Sequence, residues 1–359
     1  MTTTVAPRAA VTVRRPRIVG IDLARGLALA AMCTQHVFIE GPRGEPSTGW
    51  VAWVFRESAG RASVVFFVLS GVSLALITAG GSRSAEPAAL RRRGLALVGL
   101  GLALTGTVWE ASILQHYGLA FLLAPWLVRA SQRMLSALTA AALLGGPVAL
   151  LAVPRVDGAV VDAADGTVLD PVVEAVWDVL AVGHYPMVLW IGFFTAGVLL
   201  GRSDLHRRAF VGRLVGAGVV VALAAGLVVT LLGGPAEDGW RRLLETEGHS
   251  GMAGWTIQTG GVALALFGIA IALPASVTAR LGALIATGSM SLTAYLLHIA
   301  LVVGVFEFGV APLGWSVIAQ EVAFFALVGS MIACCVGLAR WHRVGPAERV
   351  MKRIASPRV

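Results

Sequence analysis

Three ionisable residues stand in the first apolar stretch of the sequence, IDLARGLALAAMCTQHVF at residues 21–38. Arg25 and His36 are eleven residues apart, which in an α-helix places them about 20° apart around the axis and about 16 Å apart along it. Asp22 precedes Arg25 by one helical turn, so the carboxylate and the guanidinium can form an ion pair. Because an ionisable group inside a membrane costs about 2.5 kcal/mol or more, this cluster indicates a functional site, with an ion pair for helix packing as the alternative.

Other histidines in apolar stretches extend this pattern. His116, His184 and His298 are predicted at a depth similar to that of His36, near the outer side of the membrane. Acids are available near that layer at Glu110, Asp178 and Glu321. The histidine spacing contains no HxxxH or HxH pair, so we expect no metal site.

Imidazole and guanidinium groups together suit the transfer of an acyl group. An imidazole can act as a general base toward a hydroxyl or an amine, or it can carry the acyl group as a nucleophile, and the sequence leaves both roles open. Arg25 is always charged and suits an anionic partner such as a phosphate or a polarised carbonyl. The residues therefore favour acyl transfer from an anionic donor that enters from the cytoplasmic side.

The elements that carry these residues are predicted to be membrane helices. Of the 359 residues, 57% are hydrophobic and only 13% are charged, whereas soluble domains are nearer about 50% and about 25%. We therefore expect an all-α, polytopic integral membrane protein with about ten spans of the roughly 20 residues that a bilayer requires. The expected spans are 18–39, 62–80, 94–110, 112–128, 134–153, 185–201, 211–233, 255–274, 282–304 and 316–339.

The distribution of charge predicts the orientation of these spans. With both termini in the cytoplasm, most of the 28 basic residues fall in cytoplasmic loops. This predicts a basic cytoplasmic tail at 1–17, a transmembrane domain at 18–339 and a second basic cytoplasmic tail at 340–359, in the plasma (inner) membrane. The membrane explains the basic excess, so no nucleic-acid partner is expected.

Two basic segments outside the spans have their own interpretation. ALRRRG (89–94) is a basic helix entry that serves the orientation, with contact to the phosphates of a donor as the alternative. The outer loop at 234–254 contains GWRRLLETEG, which is predicted as a short amphipathic helix at the membrane surface.

The motifs around these residues resemble two related groups of integral-membrane acyltransferases. RIVGIDLARGLALAAMCTQH (17–36), followed by GRASVVFFVLSGVSLAL (60–76), is similar to the opening of the enzymes that O-acetylate cell-surface polysaccharides. That family shows an Arg, ten residues and a His in its first helix, which Arg25 and His36 match. The second group comprises bacterial relatives of heparan-α-glucosaminide N-acetyltransferase, matched by HYPMVLWIGFFTAGVLLGR (184–202), GSMSLTAYLLHI (288–299) and GPAERVMKRI (345–354).

The resemblance implies an enzyme that takes an acyl group, expected to be acetyl, from cytoplasmic acyl-CoA to an acceptor at the far face. It implies that His36 is catalytic with Arg25 as its partner, and we expect Asp22 to orient Arg25. No permanently bound cofactor is expected. The expected partners are acyl-CoA, an extracytoplasmic glycan, glycolipid or small molecule, and the bilayer, with homo-oligomerisation left open. The loop 40–60 lacks the HxxW-type segment of the animal acetyltransferase, so the acceptor class stays open.

Several further residues are expected to line the substrate site. The resemblance marks His298 and the His184-Tyr185-Pro186 segment as signature positions, and Tyr295 shares a helical face with His298. The full set of expected substrate-binding residues is His116, Tyr117, His184, Tyr185, Trp190, Ser291, Tyr295 and His298.

The main alternative function is a proton-coupled secondary transporter that uses the same His, Asp and Arg residues. Transporters are often built from repeats with broken helices at matching positions, and the sequence shows neither, which favours the enzyme. A structural membrane protein would leave the intramembrane polar residues without a role.

Overall fold

The chain is helical wherever its structure is described, as its composition predicts. The computed structural model describes residues 17–39, 49–109, 112–152, 176–236, 239–306, 317–342 and 344–356, and no strand occurs in these ranges. The α-helices in chain order are α1 (Val19–Ile39), α2 (Gly49–Ser58), α3 (Arg61–Ala79), α4 (Pro87–Thr105), α5 (Leu114–Leu127), α6 (Gln132–Ala140), α7 (Gly146–Ala152), α8 (Met187–Gly201), α9 (Arg208–Leu231), α10 (Ala253–Ala272), α11 (Ala275–Arg280), α12 (Gly282–Ser289), α13 (Ser291–Phe306), α14 (Val317–Trp341) and α15 (Pro346–Ala355). The predicted all-α fold is confirmed.

Several of these helices have the length and composition of membrane spans. Five described stretches qualify, and a sixth does if a bent pair counts as one span. The five are Trp53–Ala79, Gln132–Leu151, Arg208–Leu231, Ala253–Ala272 and Glu321–Trp341. The chain is therefore a multi-pass membrane protein. The count of ten spans and the cytoplasmic placement of both termini stay predictions.

The helices differ in how much of their surface other helices cover. In the span that contains α3, 61% of the residues are buried, whereas in the spans of α9 and α14 only 17% are. Leu223 and Leu231 on α9 are among the exposed apolar side chains. Apolar helix surface that no protein covers is solvated by lipid. The covered fraction therefore places α3 at the centre of the bundle and α9 and α14 at its lipid-facing edge.

Glycines bring α1 and α12 into backbone contact. A side chain at Gly26 of α1 would overlap the backbone of Leu284 in α12, and a Cβ atom at Gly288 of α12 would lie 2.6 Å from the amide nitrogen of Gly26. Small residues let membrane helices approach this closely. The contact fixes the position of α1, the helix that carries Arg25 and His36.

The span predicted at 282–304 is not one straight helix, because α12 and α13 meet near Met290 at an angle of 93°. The hydroxyls of Thr287 and Ser289 donate to carbonyl oxygens of their own helix just before the break. Such back-bonding competes with the helical ladder and often accompanies bends. Hydropathy does not detect this break, since both halves are apolar.

The break between α12 and α13 is stabilised by α15, the last helix that the structure describes. The first amides of α13 lack helical acceptors, and the carboxylate of Glu348 on α15 accepts from the amide nitrogens of Leu292 at 2.6 Å and Thr293 at 3.2 Å. The other end of α15 is held by Arg92 of α4, whose guanidinium donates to the carbonyl oxygen of Ala355 at 3.0 and 2.9 Å. The segment predicted as a basic tail is therefore a helix docked on α4 and α13 over Pro346–Ala355.

Two smaller expectations are corrected. The helix expected over 94–110 begins at Pro87, where proline in the first turn suits a helix start. The loop 40–60 contains an unpredicted helix, α2. The segment GWRRLLETEG, predicted to contain a short helix, forms a 3-10 helix at Gly239–Leu244.

Candidate functional site

Arg25 lies in a network of polar groups on α1 and α3. Its NH1 group donates to Oδ1 of Asp22 over 3.2 Å, which confirms the predicted ion pair, and its NH2 group donates to the Ser73 hydroxyl. Nε of Arg17 donates to Oδ2 of Asp22 over 2.7 Å. Asp22 is buried, and two guanidinium groups compensate its charge. We call these residues the Arg25 network; it retains one positive charge in excess, which suits an anionic ligand.

His36 lies toward the other end of α1 among three rings. Its ring centroid is 4.5 Å from that of Trp109 and 5.2 Å from that of His298 on α13. Tyr295 packs against His298 with a centroid distance of 5.0 Å. His298 is fully buried, and neither of its ring nitrogens makes a well-formed hydrogen bond with a described residue. We call these four rings the His36 cluster; buried ring nitrogens without a partner, as in His298, are rare in folded proteins and mark this cluster as a candidate functional site.

A second group of rings gathers around Tyr185. The Tyr185 ring centroid is 5.0 Å from Trp190, 5.3 Å from His116 and 5.3 Å from His249. His184 is exposed, and its ring centroid is 6.3 Å from that of Tyr185. We call these five rings the Tyr185 cluster. The described ring contacts thus divide the predicted layer of four histidines into two pairs, one in each cluster.

His249 is a member of this cluster that sequence reasoning did not select. Its backbone φ is 63°, a left-handed conformation that residues other than glycine rarely adopt. Its Nδ1 atom is 3.2 Å from the carbonyl oxygen of His184, and its ring stacks against those of Trp190 and Trp255. Burial lowers the pKa of His249 to about 4, with repulsion from His184 as a second cause, so the ring is neutral at pH 7. His249 is also within electrostatic range of His36.

A cavity of about 100 Å³ borders the His36 cluster at Tyr295, and Arg25 lies within electrostatic range of Arg93 and Tyr117 in its wall. Met32 contributes to its wall from the part of α1 between Arg25 and His36, and Tyr295 contributes from α13 beside His298. The polar residues of the wall are Ser70, Arg93, Tyr117, Ser291 and Tyr295. Three of the predicted substrate-binding residues therefore share one cavity.

Phe67 of α3 connects this cavity wall with the Tyr185 cluster. Its ring stacks on Tyr117 with a centroid distance of 4.4 Å and packs edge-on against Trp190 at 5.0 Å. Trp190 is almost fully buried, so it serves packing as well as any contact with a ligand.

The acids expected near the histidine layer do not gather there. Glu110 lies outside the described residues, Asp178 is exposed, and Glu321 is partly exposed on α14. In the part of the chain that the structure describes, no three His, Cys, Asp or Glu side chains are arranged to hold a metal ion.

Four residues of the site region were not among the predicted site residues: Trp109, His249, Arg93 and Glu348. Arg93 belongs to the basic segment ALRRRG, and Glu348 stands in the first turn of an amphipathic stretch after Gly-Pro. Each of these sequence patterns involves only neighbouring residues, whereas Arg93 and Glu348 contact residues of other helices. The patterns therefore did not identify them as site residues. Trp109 and His249 carry no spacing signal at all.

Comparison with known proteins gives the family. A family model described as heparan-alpha-glucosaminide N-acetyltransferase, catalytic, matches residues 17–224. A second model, described as a protein of unknown function (DUF418), matches residues 200–358. No curated protein matches the chain. The first match contains the Arg25 network and His36, and it supports a membrane N-acetyltransferase-type function. Because it covers more than half of the chain, the chain belongs to the heparan-alpha-glucosaminide N-acetyltransferase catalytic family.

Proposed function

We propose that the protein is a membrane-embedded acetyltransferase that moves an acetyl group from cytoplasmic acetyl-CoA to a hydroxyl or amine acceptor at the extracytoplasmic face. One observation carries the proposal: Tyr295 of the His36 cluster lines a cavity whose wall also contains the cation Arg93, and Arg25 lies within electrostatic range of Arg93. Acetyl-CoA carries anionic phosphates at one end and the reacting thioester carbonyl at the other. Its phosphates therefore suit the cationic groups, and its carbonyl suits the imidazoles. The family match supports the same reaction class.

His36 is proposed as the catalytic residue. As a general base, its imidazole takes the proton from the acceptor O–H or N–H group while the acceptor atom attacks the thioester carbonyl. The C–S bond then breaks, the CoA sulfur leaves with the bonding electrons, and it takes the proton from the imidazolium. In the covalent route His36 attacks first and carries the acetyl group, and the products are the same. His298 is the neighbouring group that can share this proton.

Arg25 is proposed to attract the anionic donor, and Asp22 to orient Arg25. Asp22 accepts from both Arg17 and Arg25, so it holds the Arg25 guanidinium in place without removing the excess positive charge of the network. A planar guanidinium with a fixed orientation can donate two parallel hydrogen bonds to a phosphate or carboxylate.

The Tyr185 cluster is proposed as the acceptor side of the site. Aromatic rings offer flat apolar faces, and imidazoles offer hydrogen bonds, which together suit a sugar with apolar faces and hydroxyl or amine edges. This favours a glycan or glycolipid of the cell envelope as acceptor, at the plasma membrane.

The test uses the purified protein in nanodiscs with radiolabelled acetyl-CoA and a panel of amino-sugar and neutral-sugar acceptors. Wild type is expected to bind acetyl-CoA, hydrolyse it slowly and label at least one acceptor class. His36→Ala should lower the transfer rate about 10²- to 10⁴-fold. His206→Ala is the matched control, because His206 is exposed and should leave the rate unchanged. A wild-type protein that neither binds nor cleaves acetyl-CoA would contradict the proposal.

A proton-coupled transporter is the second candidate, and the break near Met290 favours it, because transporters bind substrates at broken helices. Reconstitution in liposomes separates the two functions. A transporter would accumulate its substrate when a pH gradient is imposed, without cleaving acetyl-CoA. The enzyme would release CoA in the same liposomes whether or not a gradient is present.

A further inference from the structure

Arg93 is a half-buried cation whose Nε atom is shielded from solvent and has no hydrogen-bond acceptor among the described residues. It lies on α4, lines the cavity, and makes no hydrogen bond and no ion pair with any described residue. Its guanidinium carbon lies 4.5 Å from the centroid of the Phe121 ring. Its neighbours on α4 differ, since Arg91 is exposed and Arg92 donates to the carbonyl oxygen of Ala355. Of these three consecutive arginines, Arg93 lines the cavity.

An unpaired guanidinium at this depth is unfavourable. Shielding a cation from solvent is costly even after the protein relaxes, and the contact with the Phe121 ring offsets only part of that cost. Arg25 is close enough to repel Arg93, and Glu348 is close enough to attract it. Glu348 is already engaged by two amides of α13 and by the Thr293 hydroxyl. The surroundings therefore leave Arg93 free to pair with an added anion.

Four hydroxyl groups in the otherwise apolar cavity wall suit a phosphate group at Arg93. Ser291, the first residue of α13, lines the same cavity as Arg93, and Ser70 and Tyr117 contribute further hydroxyl groups to its wall. Hydroxyls and a guanidinium are the donors that phosphate oxygens accept from. His298 is seven residues beyond Ser291 on α13, so it stands about 10 Å further along the helix axis. A phosphate at Arg93 is thereby separated from the imidazoles by a stretch that an extended linker can span.

We infer that Arg93 is the phosphate-binding residue of the cavity, and that it holds a phosphate of the donor while the thioester end reaches the His36 cluster. This rests on the proposed function for the identity of the donor. A phospholipid headgroup offers the same phosphate chemistry and is the other source that the experiment must distinguish.

The experiment compares acetyl-CoA with S-acetylpantetheine, which keeps the thioester and lacks the phosphates, in full-length protein in nanodiscs. In Arg93→Gln the affinity for acetyl-CoA should fall about 10- to 100-fold while that for S-acetylpantetheine stays unchanged. Arg91→Gln is the matched control and should change neither. Arg93→Lys keeps the charge and should lose less affinity, and it serves as the second variant if Arg93→Gln does not fold.

The outcomes separate the two proposals. An equal loss for both thioesters, or no loss for either, overturns the role of Arg93 and leaves the acetyltransferase standing. If wild type binds neither thioester, the role of Arg93 is tested by native mass spectrometry of phospholipid bound to the protein. Lipid that is retained by wild type and lost in Arg93→Gln would support a phosphate site filled by lipid, and equal retention would overturn it.

Discussion

The ring centroids of His36 and His298 lie 5.2 Å apart, although the two residues belong to the first and the thirteenth helix. Two imidazoles at this separation can act as one unit on a single proton. His298→Ala should therefore lower acetyl transfer about 10²-fold or more, and the double variant with His36→Ala should be little worse than the single His36 variant. Steady-state rates of the two single variants and the double variant test this, with His206→Ala as control. If the rate loss of the double variant equals the product of the losses of the two single variants, the two rings serve separate steps.

The carboxylate of Glu348 caps the start of α13, which carries Tyr295 and His298. Glu348→Ala removes the acceptor for two helical amides and a hydroxyl and should destabilise the protein by about 1–2 kcal/mol. It should also lower the transfer rate, since α13 positions His298. Thermal unfolding in detergent and the transfer rate are the two measurements.

Lys352→Gln is the control for this change, because Lys352 is exposed on the same helix. An alanine variant that unfolds at the wild-type temperature would show that Glu348 does not support α13.

The backbone contact between α1 and α12 can be tested with two glycines of one helix. A Cβ atom at Gly288 would lie 2.6 Å from the amide nitrogen of Gly26, whereas one at Gly282 would meet nothing within 4 Å. Gly288→Ala should cost about 1–3 kcal/mol, because α12 must move away from α1. Gly282→Ala should be neutral or slightly stabilising. Thermal unfolding of both variants measures the difference, and equal stability would contradict the close packing.

The lowered pKa of His249 in the folded protein predicts that the free energy of unfolding depends on pH. Its pKa falls from 6.5 to about 4 on folding, so between these values the unfolded chain binds the proton more strongly. The stabilisation by His249 is complete above pH 6.5 and is lost as the pH falls toward 4. His249→Asn removes the titrating group and suits the left-handed backbone.

Unfolding temperatures of wild type and His249→Asn across this pH range isolate the effect. The wild-type curve should fall more steeply toward acid than the curve of the variant. Parallel curves would show that His249 does not titrate on unfolding.

Local patterns predicted the parts of the site that lie within one helix. The spacing of Asp22 and Arg25 predicted their ion pair, and the apolar composition predicted a helical membrane fold. The common depth of His36 and His298 followed from hydropathy, but their contact depends on how α13 packs on α1, which no local pattern contains.

The break near Met290 and its cap by Glu348 were missed for a related reason. In a continuous helix each amide donates to a carbonyl of the preceding turn. Here the first amides of α13 donate to the carboxylate of Glu348, which belongs to α15. Hydropathy averages over a window and therefore joins the two halves into one span. Arg93 was assigned with its two neighbours to membrane orientation, with contact to donor phosphates as the alternative for the whole segment, because only packing distinguishes Arg93 from Arg91 and Arg92.

The contact of α1 with α12 joins two parts of the chain that are synthesised at different times. The helix with Arg25 and His36 is the first described helix to leave the ribosome, while Leu284, Gly288 and His298 follow only after most of the chain has been made. Until then Arg17, which lies just before α1, can already pair with Asp22 and compensate its negative charge, because the two residues are close in sequence. The helix α1 thus meets α3 early through Arg25 and Ser73 but meets α12 and α13 late, and an incomplete chain holds the imidazole of His36 without that of His298.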